Sequence, residues 1–262
     1  MLRAYSKLSP FFQPGVTHEG QCRSLRTRAP MIEHKPFHEL PIEDLGWLRA
    51  RRHLARAAPD HPSRSGWGAL RVWSDHEIAP NAGFPLHAHA NIEIITYVRE
   101  GAITHRDSLG NEGRIEAGQV QVVSAGTGIR HAVYNLEQEP ARIFQLWIAP
   151  SCAGGSPAWG TQPSPKGERS ECFIAFASGF DIDHDALPIR ACARVLSAKL
   201  KVAECIEYQL PEGRLAYLVP SSGTVDVNGV RIHERDGAAI KDVAIIRITA
   251  IEDAEVVMVD AI

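Results

Sequence analysis

Apolar residues along this chain fall into short β-branched and aromatic runs separated by glycine, a pattern of strands and tight turns. Residues 69–73, 92–98, 119–124 and 127–135 read as strands, with turns predicted at Gly101, Ser108–Asn111, Gly113, Gly118 and Gly126. Many short strands at close spacing predict an all-β sandwich or barrel. The second half echoes the first: Leu215-Ala-Tyr-Leu-Val-Pro-Ser-Ser-Gly223 followed by Asn228-Gly229 parallels the strand ending at Gly101, so a repeated β unit is expected. Asn228-Gly229 between Val-Asp-Val and Val-Arg-Ile predicts a two-residue hairpin. A stretch rich in Pro, Gly and Ser from Ala149 to Gly167 reads as a crossing between halves. The first thirty residues are basic and lack hydrophobic periodicity, so they read as an unstructured extension, with Met31 an alternative start. The expected division is an extension over 1–35, an N-terminal unit over 36–150, a linker over 151–170 and a C-terminal unit over 171–262.

The chemistry stands out against this background at His87-Ala-His89, followed by Glu93 and, two turns later, by His131. Alternate side chains of an extended strand share a face, so His87, His89, Asn91 and Glu93 are expected to point the same way. A rolled antiparallel sheet would lay the strand of His131 over them. One histidine alone is more often a surface or core residue. Two at alternate positions with an acid on the same parity suit a divalent ion: iron, nickel, copper, zinc or manganese. When Gly223 is aligned on Gly101, Gln209 and Pro211 fall opposite His87 and His89, so only the first half is expected to hold a metal.

Composition narrows the remaining classes. The formal net charge is −3 across 262 residues and no Lys/Arg run interrupts the body, which argues against direct nucleic-acid binding. No apolar stretch reaches the length of a membrane span. Five cysteines without Cys-x-x-Cys spacing indicate neither a disulfide framework nor a zinc knuckle and fit a reducing, cytoplasmic setting. Cys152 is the candidate for an exposed redox thiol, though nothing basic flanks it.

Several blocks together resemble the pirins, a family of two-cupin proteins that includes bacterial quercetin 2,3-dioxygenases. They are Gly46-Trp-Leu48, Ala69–Val72, Gly83-Phe84, His87-Ala-His89, Glu93–Gly101, His105–Asn111, Ser124-Ala-Gly-Thr-Gly-Ile-Arg-His131 and Gln145–Trp147. The resemblance implies two jelly-roll barrels packed together, with a metal, most often Fe(II), held in the first. It implies as ligands the two histidines of His-x-His, the histidine of Gly-Ile-x-His, and a glutamate two positions later. Those positions are His87, His89, His131 and Val133, so the family's acid is replaced by a side chain that coordinates nothing. Ala88 also stands where the family usually has proline.

Three expectations follow from the missing acid. Glu93 takes its place, or three histidines bind the ion with open positions for water and substrate, or the pocket has given up its metal. The first two imply a dioxygenase that takes a flavonol-like molecule and dioxygen, with Glu93 as ligand or as base for a phenolic hydroxyl. The third implies a non-enzymatic pirin that binds a protein partner or senses redox state. His105 is expected as a ligand or a supporting donor, or as a purely structural residue. Tyr97, Tyr134 and Phe144 are candidates to wall an aromatic ligand or to fill the core.

Overall fold

The computed structural model describes residues 29–55, 66–163 and 172–262. Most of the expected extension, Cys22 and the polar loop around residue 60 lie outside them. The chain runs through β1 (Met31–Lys35), β2 (Ile42–Asp44), β3 (Leu48–Leu54), β4 (Leu70–Ile78), β5 (Ala82–His89), β6 (Glu93–Glu100), β7 (Ala102–Asp107), β8 (Glu112–Glu116), β9 (Gln119–Ser124), β10 (Ile129–Asn135), β11 (Ala141–Ile148) and β12 (Ala158–Pro163). It continues through β13 (Ile174–Ser178), β14 (Leu187–Pro188), β15 (Ala193–Leu200), β16 (Cys205–Gln209), β17 (Leu215–Ser222), β18 (Val225–Val227), β19 (Val230–Ile232), β20 (Gly237–Lys241), β21 (Ile245–Ala250) and β22 (Ala254–Ala261). The only helical element among the described residues is a 3-10 turn at Phe37–Glu39, and no helix is long and apolar enough to cross a membrane.

The strands form two barrels of one design. In the first, a seven-stranded sheet ordered β12-β9-β6-β11-β4-β3-β2 faces a four-stranded sheet ordered β5-β10-β7-β8. In the second, β1-β20-β17-β22-β15-β13-β14 faces β16-β21-β18-β19. The expected repeat is therefore real, and Gly101 and Gly223 mark it. Both have φ of +71°, and an added Cβ at either would press on the backbone entering β11 or β22. Asn228 and Gly229 both have positive φ and turn β18 into β19, as the dipeptide predicts.

The matching orders expose a departure from the expected division. β1 sits against β20 in the second barrel where β12 sits against β9 in the first. Residues 31–35, read as extension, thus complete the C-terminal sheet, and residues 158–163, read as linker, complete the N-terminal one. Neither was legible because edge strands with one covered face need few apolar residues: β1 carries Glu33, His34 and Lys35, and β12 carries Gly160, Thr161 and Gln162.

The two large sheets pack on each other. Leu70, Trp73, Ile95, Tyr97, Phe144, Leu146 and Ile148 meet Phe176, Tyr217, Val219, Ala239, Val257 and Val259 in a continuous buried cluster. The alternate residues of the same strands face the barrel interiors, where Ile78, Val98, Ile103, Ile115 and Ile143 fill one end of the first barrel. Side-chain parity therefore decides what a residue can do. Leu70, odd positions of β4 beyond the register shift that follows it, odd positions of β6 and even positions of β11 reach the junction between halves; the alternate ones reach the first barrel's interior.

Two polar groups are held at this junction. The Asp75 carboxylate is fully buried and accepts hydrogen bonds from Arg99 at 2.8 Å and from Arg235, of the second half, at 2.6 Å. His53 lies between Trp73 and Tyr217, with its Nδ1 3.3 Å from the tyrosine hydroxyl. Burial pushes its imidazole down to about 4, against the pull of Asp75 and Asp236.

Removing Asp75 strands two arginines, one of them almost wholly buried. Asp75→Ala is expected to lose about 3–5 kcal/mol of stability in urea unfolding; a loss below 1 kcal/mol would show the pairing to be dispensable. For His53 the folded pKa lies below the unfolded one, so the unfolded chain binds the extra proton and acid favours unfolding. Its contribution is fully present above pH 6.5 and is lost as pH falls toward about 4. Between those limits wild-type stability should fall by up to about 1.4 kcal/mol per pH unit more than that of His53→Phe.

Candidate metal centre and cavity

The triad is assembled by two adjacent strands of the small sheet. His131 on β10 pairs with His87 on β5, and Ile129 pairs with His89. The register slips just beyond, where Val133 pairs with Phe84, so β5 spends an extra residue at Pro85-Leu86. Proline suits that irregularity because it has no N–H to offer the ladder. Gly83 is required beside it, since a Cβ there would lie 2.2 Å from the Val133 carbonyl oxygen.

The bulge also sets the chemistry of His87. Its Nδ1 lies 2.7 Å from the Pro85 carbonyl oxygen, which can only accept, so Nδ1 carries the proton and Nε2 keeps its lone pair. The three rings stand close, with centroids 4.6 Å apart for His87 and His131, 4.8 Å for His87 and His89, and 5.1 Å for His89 and His131. One nitrogen from each lies within 4.8 Å of the others. His131 is buried, and neither of its ring nitrogens has a hydrogen-bond partner among the described residues. Burial first, and then the neighbouring His87, His89 and His105, push its imidazole down to about 3, which keeps it neutral. Three converging imidazoles, one of them buried with both ring nitrogens unpartnered among the described residues, are the donor set of a divalent transition metal, so these residues fit one.

Glu93 does not join them. The chain turns at Ala90-Asn91-Ile92, with Asn91 at φ of +52°, and leaves the small sheet for the large one. Strand parity does not carry across that corner. Glu93 is buried on the junction side, where Ser124 donates a hydrogen bond to it and Arg190 of the second half lies close. Burial raises its carboxyl pKa in spite of these partners.

Val133 does face the site. It is buried and lines a cavity of about 400 Å³ beside the triad. Leu48, Val72, Phe84 and Trp147 supply the other apolar walls, and Trp147 meets His89 edge-on at 5.1 Å. Tyr97 and Phe144, expected as candidate walls, point instead into the junction between halves. His105 is fully buried behind the triad. Its Nε2 lies 3.1 Å from Asp107, its ring stacks on Trp159 at 5.2 Å, and its centroid is 5.4 Å from that of His131. Its ring meets that of His131 edge-on and is not among the residues that line the cavity.

Four polar residues on the large-sheet wall escaped the reading of the sequence: Arg52 on β3, Ser74 and His76 on β4, and Gln145 on β11, with Ser74 paired to both Arg52 and Gln145. The signal was the alternation Val72, Ser74, His76, Ile78 in a strand buried on both faces. No metal-like spacing drew attention to it.

Comparison with known proteins agrees with this architecture. A family model described as Pirin matches residues 41–148, and one described as Quercetinase C-terminal cupin domain matches residues 177–261. The chain is 61% identical to a pirin-like protein of Caulobacter vibrioides over 88% of this chain and 100% of that one. It is 33% identical to the quercetin 2,3-dioxygenase of Escherichia coli K12 over 88% of this chain and 98% of that one. The crystal structure of YhhW from Escherichia coli superposes with a TM-score of 0.83 at 32% identity, covering 88% of this chain and 98% of that one. A second structure, of bacterial pirin YhhW in complex with nickel(II), gives 0.82 at the same identity, covering 88% and 99%. With two repeated barrels, a histidine triad confined to the first, and relatives of this closeness along nearly the whole described chain, the protein belongs to the pirin family of bicupins.

Proposed function

We propose that this chain is a metal-dependent dioxygenase of the quercetin 2,3-dioxygenase type, with Fe(II) held by His87, His89 and His131 alone. The observation that carries the reading is His131, a buried imidazole with two unpartnered nitrogens beside two other histidines. Leaving such polar atoms unpaired costs roughly 1–3 kcal/mol each, and an ion would remove part of that cost. The names of relatives, quercetin 2,3-dioxygenase and a nickel(II) complex, support the substrate class and a divalent ion.

The cavity's walls suit a flat aromatic molecule. Phe84 and Trp147 offer ring faces and edges, while Leu48, Val72 and Val133 exclude water from the reacting end. Bound at the triad, a divalent ion supplies Lewis acidity toward an enediol oxygen and the redox chemistry that dioxygen requires. The chain's own contribution is charge. Three imidazole ligands, which carry no charge when they coordinate, with valine at 133 and Glu93 held by Ser124 outside the cavity lining, would leave the ion's full positive charge available to a deprotonated hydroxyl. The same valine favours a second reading, a binding or regulatory pirin without metal, and the experiment below separates the two.

Elemental analysis of the purified protein should find about one equivalent of iron or another divalent metal. It should be lost in His87→Ala and His131→Ala and retained in Glu93→Gln; absence of metal from wild type even after reconstitution would favour the second reading. Val133→Glu should raise nickel affinity in calorimetric titration by at least about tenfold, since it adds a charged ligand to a neutral set. Without metal the same variant should be less stable by about 1–3 kcal/mol, because the carboxyl enters an apolar cluster. An unchanged affinity would remove position 133 from the site.

A further inference from the structure

We propose that His76, with Ser74 and Gln145 beside it, is the specificity end of the cavity and hydrogen-bonds a ring hydroxyl of the substrate that is not the one at the triad. The inference rests on the flavonol-cleaving reading above and adds to it the residue that recognises a hydroxyl remote from the reacting end.

His76 is 95% buried, its own exposure being 5%, and lines the same cavity as the triad. It belongs to a different sheet from the three histidines and falls outside their cluster. Its Nδ1 is buried without a hydrogen-bond partner among the described residues, its ring meets Phe84 at 5.6 Å, and the charges that act on it are those of Asp75 and Arg52. Phe84 in turn stands 6.3 Å from His87, so an aromatic floor runs from His76 to the triad. Cross-strand register places Ala50 on one side of His76 and Ile143 on the other. Neither can hydrogen-bond to the ring through its side chain.

Polarity at this wall is not a general property of the sheet. Ser74 and Gln145 face each other across β4 and β11, while the flanking pairs on the same face are Val72 with Trp147 and His76 with Ile143. Ser74, His76 and Gln145, with Arg52 beside Ser74 on β3, are thereby collected on one wall of the cavity, opposite the small sheet that carries the triad. Burial keeps the His76 imidazole neutral, down to about 4, so it presents both an N–H and a lone pair, and either can serve a phenolic hydroxyl. A buried polar group kept for a ligand hydroxyl discriminates strongly against ligands lacking it, because it is then left unpaired.

The test compares two probes that share the reacting enediol end, quercetin and 3-hydroxyflavone, which lacks the other ring hydroxyls. Binding is read by tryptophan fluorescence quenching with the protein as purified, under nitrogen so that no turnover occurs. Wild type should bind quercetin at least about tenfold more tightly than 3-hydroxyflavone. His76→Phe, which keeps the ring contact with Phe84, should bring that ratio close to one, and His76→Gln, which keeps a donor and an acceptor, should retain most of it. Metal content of both variants reports that the triad is intact. A preference that survives in His76→Phe would overturn the role of His76 while leaving the flavonol reading in place. Loss of the preference in His76→Gln as complete as in His76→Phe would assign the effect to ring packing and overturn the hydrogen-bonding role. Failure of wild type to bind either probe would overturn the flavonol reading itself, and the proposed role with it.

Discussion

The constraint on which this molecule depends is that its two large sheets are covered on both faces. One face of each is committed to the other sheet through Trp73, Phe144, Tyr217 and their neighbours. Chemistry is therefore confined to side chains of the other parity and to the small sheets that face them. Within the second barrel that interior is filled: β16 and β21 present Ile206, Ile246 and Ile248 to a cluster closed by Leu218, Val225 and Met258. Within the first, the corresponding pair β5 and β10 presents histidines, and a cavity remains. Two barrels of one topology thus divide the labour, one supplying packing and the other a site.

That division explains what the chain disclosed as a sequence. The strands, the repeat and the His-x-His spacing were legible because each is a local pattern: period two, glycine at a positive-φ turn, alternate imidazoles on one face. Glu93 misled because a period-two argument assumes an unbroken strand, and one residue at positive φ, Asn91, breaks it. The corner carries a polar signal, but only the tertiary path shows that the chain changes sheets there. His76, Ser74 and Gln145 were illegible for the opposite reason. They join the site through lateral pairing of β4 with β11 and through the barrel's closure, and neither leaves a mark at short range.

The edge strands carry the same lesson about domains. A boundary drawn from composition separates residues 31–35 from the C-terminal half, yet they hydrogen-bond to β20 and anchor there through His34 and the Phe37 backbone on Asp236. β12 completes the first barrel after the chain has already met the second, where Ser151 donates to the Arg190 carbonyl and accepts from the Cys192 N–H. The halves are consequently laced together by strand exchange as well as by the apolar junction, and the buried carboxylate of Asp75 holding an arginine from each half adds a third tie.

Substitution of an acid by Val133 acquires its meaning from this arrangement. The residue at 133 lies at the meeting of the apolar end of the barrel with the cavity, among Ile78, Val98, Ile103 and Ile143. A carboxylate there would have only an ion to offset its desolvation, so the family's acid and its metal would be energetically bound to each other. Valine breaks that coupling. It lets the apolar cluster close without metal, and on the proposed reading it leaves an uncharged donor set at the triad and recognition of a polar ligand to the opposite wall. On the proposed reading, the centre is folded and shaped in advance, with its occupancy set by metal supply and its selectivity by the residues of β4 and β11.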